Sequence, residues 1–354
     1  MCAPRGEGTS PKERTPPSAV TCTTDTKPRE AQYKRLRLRS NAIWSVPGAI
    51  LAVAATFPVL WHVRDSIDGH YLPAPVAAAF RCLSRVIPTA VVANSESTLQ
   101  TLRLGRRKLA ATVYSGITAS SGTPPAFSSL PDAWDVDIRQ MVIHDGCDAQ
   151  AFGPAQVFGF RTPHAAPAPL APVVALVGRI ADWKGQHIFI EAAALVRNRF
   201  PEARFQIIGA ALFDEHAYTG EIQELVRTLG LEDCVEFLGF RDDVPDLVAG
   251  LDVLVHASIT AEPFGQVIVE GMAAARPIVA TNGGGAKEIV VNGETGLLVP
   301  MGDVDAMAEA IVFLLDNREV AREMGARGYQ RACELFSIER TARNMEAIYD
   351  EMLS

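Results

Sequence analysis

The sequence predicts an α/β protein built on doubly wound parallel sheets, and three observations support this. Short apolar runs of strand length recur in the second half of the chain, as at 173–178, 204–209 and 253–256. Between them, apolar residues return at helical spacing. Several runs end in glycine or polar residues. Strands that alternate with helices in this way are typical of a parallel sheet covered by helices on both faces.

The length of the chain predicts two domains, because a domain with a single hydrophobic core is usually shorter than 354 residues. Hydrophobic residues make up 48% and charged residues 21%, which is ordinary for a globular protein. We expect a polar tail without packed structure at 1–38, a first Rossmann-like domain at 39–160 and a second at 161–335. We expect 336–354 to form a helix that packs back toward the first domain.

The first half of the chain has a less regular pattern. Strands are predicted at 58–63 and 90–94, with a helix at about 76–86 between them. Residues 116–131 are rich in Ser, Pro, Gly and Ala, which favours a loop. The uncharged stretch 43–61 is interpreted as a buried helix followed by a strand rather than a membrane span, because two prolines interrupt it.

The second half has regularly alternating elements. Beyond the three runs above, further strands are predicted at 235–238 and 278–280. Helices are predicted at 189–200, 221–229 and 266–275, followed by three terminal helices that contain 307–314, 321–333 and 338–353.

The charge distribution excludes most nucleic-acid-binding proteins. The formal net charge is −8, while residues 1–40 carry nine Lys or Arg and four Asp or Glu. Binding to nucleic-acid phosphates needs a positively charged surface on the folded domain and not only a basic tail. The basic run Lys34 to Arg39 could instead contact an anionic membrane surface from the cytoplasmic side, although a solvated tail is the simpler interpretation.

The cysteines do not form a recognisable framework. They are spread over the whole chain, without a C-x-x-C pair and without clustering with histidine. A disulfide scaffold or zinc site is therefore not expected, and a reducing cytoplasm is the simplest compartment. The six cysteines are Cys2, Cys22, Cys82, Cys147, Cys234 and Cys333.

The carboxyl ends of the predicted strands are where a ligand should bind, because ligands of open parallel sheets lie beyond these ends. The first candidate is the segment from Gly178 to Gly185, which includes Arg179 and Lys184. Two cations after a strand could neutralise the charge that grows on a departing diphosphate. The alternative is a pair of solvated cations in a loop.

The second candidate is the segment from Glu262 to Glu270. If a helix begins near Gly265, the backbone N–H groups of Gln266 and Val267 form an anion site. Carboxylates such as Glu262 and Glu270 are natural acceptors for the paired hydroxyls of sugars and ribose. Glutamates at this separation also occur on ordinary surface helices, but apolar neighbours favour a buried Glu270.

Two further strand ends are weaker candidates. Residues 282–288 contain a glycine turn between a strand and a short helix, which could let the backbone approach a ligand or make an ordinary tight turn. The strand end that includes Phe237 and Leu238 could present backbone groups to a nucleobase.

Together these motifs resemble those of the family-4 retaining glycosyltransferases (glycosyltransferases group 1), which have the GT-B fold of two Rossmann-like doubly wound domains facing a cleft. The resemblance covers about 173–353. It rests on several motifs in the same order: Gly-Arg at 178, Trp-Lys-Gly at 183, Phe-Leu-Gly at 237, Glu-Pro-Phe-Gly at 262 with a second glutamate at 270, Gly-Gly at 283 and Asn-Gly-Glu-Thr-Gly at 292.

The resemblance implies roles for these residues. Arg179 and Lys184 would hold the donor diphosphate, with the motif that begins at Gly178 and the amides of Gln266 and Val267. In the same way, Glu262 would contact the donor sugar, Glu270 the ribose, and Gly265 would let the sugar approach the backbone, while Phe237 and Leu238 would line the donor site. Arg179, Lys184 and Glu262 would also take part in catalysis.

The N-terminal half resembles the family's acceptor domain less completely. The resemblance lies at 58–65, 93–96 and 142–148, and His62 falls where the family places an active-site histidine. The alternative is a histidine satisfied at a strand end. The strand and helix units that normally precede the segment at 40–65 have no counterpart in 1–38, so an incomplete first domain is expected.

No metal is expected in the site. Asp135 and Asp137, like Asp303 and Asp305, match the short Asp-x-Asp pattern by which glycosyltransferases of another fold hold a metal. Asp303 instead looks like the cap at the start of a helix. The histidines show no metal-ligand spacing.

The function that follows from the resemblance is sugar transfer with retention of configuration, with no cofactor required. The co-substrate would be a nucleotide-diphosphate sugar, with uridine or guanosine as the base. The acceptor hydroxyl would belong to a saccharide, a lipid-linked saccharide, a polyol or a secondary metabolite. Two alternatives remain: a donor-binding protein that is impaired or dependent on a partner chain, and a sugar-nucleotide epimerase, which the motifs disfavour.

Overall fold

A computed structural model describes residues 58–68, 72–104, 109–112, 115–117, 144–147, 171–212 and 215–353. The chain divides into two units, Met1–Val46 and Pro47–Ser354, and every described residue belongs to the second. The predictions for 1–38, for a helix before residue 58 and for Asp135 and Asp137 lie outside the described residues.

The N-terminal sheet has three parallel strands in the order β1-β2-β3. These are β1 (Leu60–Val63), β2 (Ala90–Ala93) and β3 (Leu109–Thr112), with α1 (Ala74–Val86) and α2 (Glu96–Thr101) as the connecting helices. All four residues of β2 are buried, as expected for a central strand whose two faces are covered. The two strands and the helix predicted in this region are confirmed.

A separate pair of parallel strands follows, β4 (Ser115–Ile117) and β5 (His144–Cys147). The expectation of a loop throughout 116–131 is therefore wrong at residues 116 and 117. Ser115 pairs with His144 and Ile117 with Cys147. Because the partner strand lies far along the chain, the local composition of this segment does not reveal the pairing.

The C-terminal sheet has six parallel strands in the order β11-β10-β9-β6-β7-β8. The strands are β6 (Val173–Val177), β7 (Arg204–Ile208), β8 (Val235–Gly239), β9 (Val253–His256), β10 (Ile278–Thr281) and β11 (Leu297–Val299). The helices are α3 (Gln186–Arg199), α4 (His216–Thr228), α5 (Val244–Ala249), α6 (Gln266–Ala273), α7 (Ala286–Ile289), α8 (Val304–Asp316), α9 (Arg318–Leu335) and α10 (Ile338–Leu353).

The order of the strands changes direction between β6 and β9. The chain first builds β6, β7 and β8 toward one edge, and then returns to place β9 on the other side of β6. The loops that leave two such strands turn to opposite faces of the sheet and open a crevice between them. Because the predicted doubly wound topology is confirmed, the expected ligand position lies beyond the ends of β6 and β9.

Apolar side chains cover both faces of the C-terminal sheet. One face packs against α3, α4 and α8, with the rings of Phe189 and Phe205 6.1 Å apart. The other packs against α5, α6, α7 and α9, where Phe264 and Phe336 stack edge to face with centroids 6.3 Å apart. Phe264 belongs to the loop before α6, so this second core anchors that loop.

The last helix packs against the N-terminal sheet. Ile348 of α10 is buried with Val92 of β2, and Leu60, Met345 and Met352 surround this contact. Helix α10 follows α9, which packs on the C-terminal sheet, and contacts the N-terminal sheet through apolar side chains. Every helix that the structure describes is too short or too polar to serve as a membrane span.

Short elements are where the sequence-based prediction is incomplete. Helix α5 and strand β11 were not expected, and α4 begins at His216 rather than near 221. Helix α5 has six residues and β11 has three, which is too few for a periodic pattern. Their positions depend on packing against the rest of the sheet.

Asp303 caps α8, as the sequence predicts: its Oδ1 accepts a hydrogen bond from the amide of Ala306 at 2.9 Å. We expect Asp303→Ala to lower the free energy of unfolding by about 1 kcal/mol, because one amide of the first turn loses its acceptor. Urea denaturation measures this. The exposed Asp305, two residues on, supplies the control: Asp305→Ala should cost less than half as much. Equal losses would contradict the capping role.

Candidate donor site at the sheet switch point

The loop after β6, residues 178–185, is fixed to the loop after β9. It contains a short 3-10 turn, Asp182–Lys184, and ends at Gly185 in the left-handed region with φ of +71°. A Cβ at Gly185 would overlap with the carbonyl oxygen of Ala257. The amide of Ile259 donates to the carbonyl of Trp183 at 2.9 Å. Glycine at 185 thus lets the two loops meet at the crevice.

Both cations of this loop lie over the ring of Trp183. The guanidinium of Arg179 is 5.6 Å and the ammonium of Lys184 4.7 Å from the ring centroid, which is within cation–π range. Arg179 also forms an ion pair with Glu215 at 3.4 Å. The buried Gln186 donates to the carbonyl of Arg179 at 2.8 Å and so fixes the backbone at this position.

Glu262 is the centre of a buried polar cluster. Its Oε1 lies 2.6 Å from Nζ of Lys184 and 3.1 Å from Nε2 of His256, and it accepts a hydrogen bond from the hydroxyl of Ser258. The contact with His256 is a close approach rather than a well-directed hydrogen bond. Glu262 is only 7% exposed. The structure therefore brings together two groups that the sequence assigns to separate motifs, Lys184 and Glu262.

The surroundings of Glu262 decide its charge. Burial by itself raises the pKa of this carboxyl, but the neighbouring His256 and Lys184 outweigh burial and hold the pKa well below its ordinary value. Glu262 is therefore a carboxylate at neutral pH. It can accept hydrogen bonds from hydroxyl groups, and it has no proton to donate.

The glycine turn at 283–285 packs against the loop that carries Glu262. A Cβ at Gly284 would overlap with the carbonyl oxygen of Glu262, and one at Gly285 with that of Phe264. The amide of Gly285 donates to the carbonyl of Glu262 at 2.9 Å. In this structure the turn makes its close approach to protein backbone, so its glycines fix the position of Glu262.

Helix α6 begins directly after this loop. Gly265 is its N-cap residue, and no side chain caps the first turn. The amides of Gln266 and Val267 are the first two of the helix, where N–H groups point outward along the axis. Glu270 lies about one turn deeper and is partly buried. The first turn of α6 thus comes directly after the loop that carries Glu262.

Other predicted site residues lie farther from this cluster. Phe237 and Leu238 belong to β8, the edge strand two positions from β6, and their side chains pack against the two cores. His62 is exposed on β1 of the N-terminal sheet. Gly178 is nearer, because a Cβ there would lie 3.9 Å from Cδ of Lys184. The roles assigned to these residues stay predictions.

Three residues that the structure places at this site, Trp183, His256 and Ser258, have no role in the sequence-based prediction, although Trp183 lies in its first candidate segment. His256 ends a buried strand beside the switch point, and its Nδ1 lies 3.3 Å from the hydroxyl of Thr281. A histidine that ends an otherwise apolar central strand is the sequence signal that could have identified it. Within the described ranges, no group of three His, Cys, Asp or Glu side chains is placed to hold a metal ion.

The lowered pKa of Glu262 predicts an acid-dependent stability. Above the ordinary value of 4.5, the charged carboxylate stabilises the fold through Lys184 and His256; as pH falls below 4.5, the unfolded chain takes up the proton first and this stabilisation is lost. We expect Glu262→Gln to reduce the free energy of unfolding by about 3 kcal/mol at about pH 6. The difference in free energy of unfolding between the wild type and Glu262→Gln should shrink as pH falls from about 4.5 toward 3.

Urea denaturation at several pH values measures this difference. The exposed Glu294 provides a matched control, since Glu294→Gln removes the same charge from a solvated position. A wild-type advantage over Glu262→Gln that stays constant down to about pH 3 would contradict the assigned pKa.

Comparison with known proteins identifies the C-terminal region. Residues 166–331 match the model of the family "Glycosyl transferases group 1". A lipopolysaccharide core biosynthesis mannosyltransferase, LpsB of Rhizobium meliloti, is 29% identical over 301 residues, which are 83% of this chain and 80% of the relative. A D-inositol 3-phosphate glycosyltransferase of Corynebacterium diphtheriae is 33% identical over 187 residues, 51% of this chain and 42% of the relative.

Solved structures agree with the family match. The crystal structure of Anabaena Alr3699/HepE in complex with UDP and glucose superimposes with a TM-score of 0.69 and 27% sequence identity, covering 86% of this chain and 74% of that one. HepE has also been solved with UDP-glucose. These findings confirm the fold class and, for residues 166–331, the family that the strand-end motifs indicate. The chain thus contains a glycosyl transferases group 1 domain and is related to glycosyltransferases of the GT-B fold.

Proposed function

We propose that this protein transfers a sugar from a nucleotide-diphosphate sugar to an acceptor hydroxyl with retention of configuration. The observation that supports it is the buried carboxylate of Glu262, paired with Lys184 next to the first turn of α6. The proposed site combines three kinds of group within one crevice. These are a carboxylate that accepts hydrogen bonds from hydroxyl groups, a cation, and backbone amides. A glycosyl diphosphate requires these three kinds of group.

The donor diphosphate binds at the first turn of α6 in this proposal. The amides of Gln266 and Val267 donate to its oxygens, while Arg179 and Lys184 supply positive charge from the facing loop. Trp183 contacts both cations through the face of its ring. As the sugar to phosphate bond breaks, the charge on the leaving group increases, and cations already in place stabilise it without reorganisation.

Glu262 orients the donor sugar. Because it is ionised and lies in a buried environment, its carboxylate accepts hydrogen bonds from sugar hydroxyls, which fixes the ring relative to the diphosphate. The acceptor hydroxyl then attacks the oxocarbenium-like centre from the face that the diphosphate leaves, and its proton passes to an oxygen of the departing diphosphate. We assign no protein nucleophile. His62 is proposed to face this centre from the N-terminal sheet.

The donor and acceptor classes are inferred from relatives. The complexes of HepE with UDP and with UDP-glucose support a uridine donor. We place Glu270 at its ribose and the backbone of Phe237 and Leu238 at its base, as the motif resemblance implies. The names of the two relatives above support a saccharide or polyol acceptor. We assign acceptor binding to 39–160 and donor binding to 161–335.

Calorimetric titration with UDP-sugars and GDP-sugars tests the proposal, with donor hydrolysis followed in the same samples. We expect one donor class to bind and to be hydrolysed slowly. Lys184→Ala should weaken its binding by about ten- to hundredfold, because a charged partner of the diphosphate is lost. Glu262→Ala should also reduce binding and hydrolysis.

Matched controls separate these effects from a change in net charge. Lys287→Ala and Glu294→Ala remove the same charges at exposed positions and should bind as the wild type does. Binding that never leads to hydrolysis or transfer would support a donor-binding protein that is impaired or dependent on a partner. No binding of either donor class would contradict the proposed site.

Trp183 gives a second test, because it contacts both cations. Trp183→Ala should weaken donor binding by about three- to tenfold, since Arg179 and Lys184 lose the ring that pre-orders them. Trp183→Phe keeps an aromatic face and should stay within about twofold of the wild type. The same donor titration measures both variants, and equal losses in the two would rule out the cation–π contribution.

A further inference from the structure

Glu288 of α7 joins the C-terminal sheet region to a helix next to the N-terminal sheet. Its two carboxylate oxygens accept hydrogen bonds from the backbone amides of Glu96 and Ser97, at 2.9 and 2.8 Å. These amides are the first two of α2. The donors and the acceptor are separated by more than 190 residues in the chain. The contact is therefore tertiary, and each of its bonds is strengthened by the acceptor's charge.

The beginning of α2 explains why these bonds form. Ser95 caps the helix and its hydroxyl oxygen accepts from the amide of Thr98 at 3.0 Å, while its carbonyl accepts from Leu99. The local sequence offers no comparable acceptor for the amides of Glu96 and Ser97, which water normally serves in a surface helix. Glu288 supplies a partner for both, with a negative charge at the positive end of the helix.

Helix α7 is itself held in place from behind. Nε of Arg331 on α9 donates to the carbonyl of Ile289 at 2.7 Å, and its Nη2 donates to the carbonyl of Glu288 at 2.9 Å. A helix of four residues has little stability of its own. These bonds fix the backbone of Glu288 while its side chain reaches α2.

The same contact reaches the Glu262 cluster. Helix α7 follows Gly284 and Gly285, whose backbone packs directly on the loop of Glu262. On the other side, the hydroxyl of Thr98 on α2 lies 3.5 Å from the carbonyl of Pro263, the residue after Glu262. Helix α2, helix α7 and the Glu262 loop therefore contact one another in turn.

From these contacts we propose that Glu288 is a positioning residue that clamps α2 onto the Glu262 loop. Its carboxylate holds the N-terminal sheet region over the donor crevice in the arrangement in which transfer occurs. This rests on the proposed function, since the crevice is taken to be the donor site. In this proposal Glu288 contacts neither the donor nor the acceptor. Its removal should therefore leave donor binding intact and reduce turnover.

Glu288→Gln and Glu288→Ala test the clamp. A glutamine can present one oxygen, but its NH₂ group would face the second amide, so at least one bond is lost. We expect amide hydrogen exchange in residues 95–101 to become about tenfold faster or more, because α2 loses its fixed partner. Glu294→Gln and Glu294→Ala, at an exposed position of the same region, are the charge-matched controls and should leave this exchange unchanged.

The functional readout uses UDP and UDP-glucose as probes. The dissociation constant of UDP should stay within about twofold of the wild type, because its proposed contacts all lie in the C-terminal sheet region. Hydrolysis of UDP-glucose should fall by about ten- to hundredfold, as expected when reacting groups lose their alignment. Melting temperatures of the variants check that they are folded. A merely structural role would lower stability without separating binding from turnover.

Each outcome decides the proposal. Unchanged exchange in 95–101 would overturn the clamp, and so would faster exchange with unchanged hydrolysis. Faster exchange with intact UDP binding and reduced hydrolysis would support it. If the wild type does not bind UDP, the proposed uridine donor is wrong. Amide exchange in residues 95–101, together with binding and hydrolysis of the GDP-sugars, then tests the clamp separately.

Discussion

The buried ion pair between Glu262 and Lys184 is the interaction on which the candidate site depends. Removing one partner would leave a charge in a crevice with little access to water, and a buried charge without its partner is costly. His256 and Ser258 contact the same carboxylate oxygen. The geometry of the cluster is therefore determined before any ligand binds, which is the condition for electrostatic preorganisation.

Close backbone packing keeps this ion pair in position. Gly185 brings the loop after β6 against the one after β9, and Gly284 brings the turn after β10 against the same loop. Three strand ends thus meet without side chains between them. Because neither glycine has a Cβ, the loops pack closely enough for Lys184 and Glu262 to pair, so the glycines act on the chemistry indirectly.

The sequence predicts those parts of the fold and the site that depend on near neighbours. Buried strands, long helices and the Asp303 cap follow from residues a few positions apart. The ion pair between Lys184 and Glu262 joins residues 78 positions apart, and the contact of Glu288 with α2 spans still more. The position of His256 at the end of an apolar strand is visible in the sequence, but its contact with Glu262 is tertiary. The motif resemblance identifies Lys184 and Glu262 as candidate site residues, but only the tertiary structure shows that their side chains are in contact.

The order of the strands also determines when the crevice can exist during folding. Strand β9 pairs with β6 although β7 and β8 lie between them in the chain, and β10 pairs in turn with β9. Such non-local parallel pairings form slowly, because chain entropy is lost before the contacts are gained. The ends of β6, β9 and β10 meet only when both of these pairings are present. The proposed donor crevice is thus a property of the completed sheet, and a chain without these pairings lacks it.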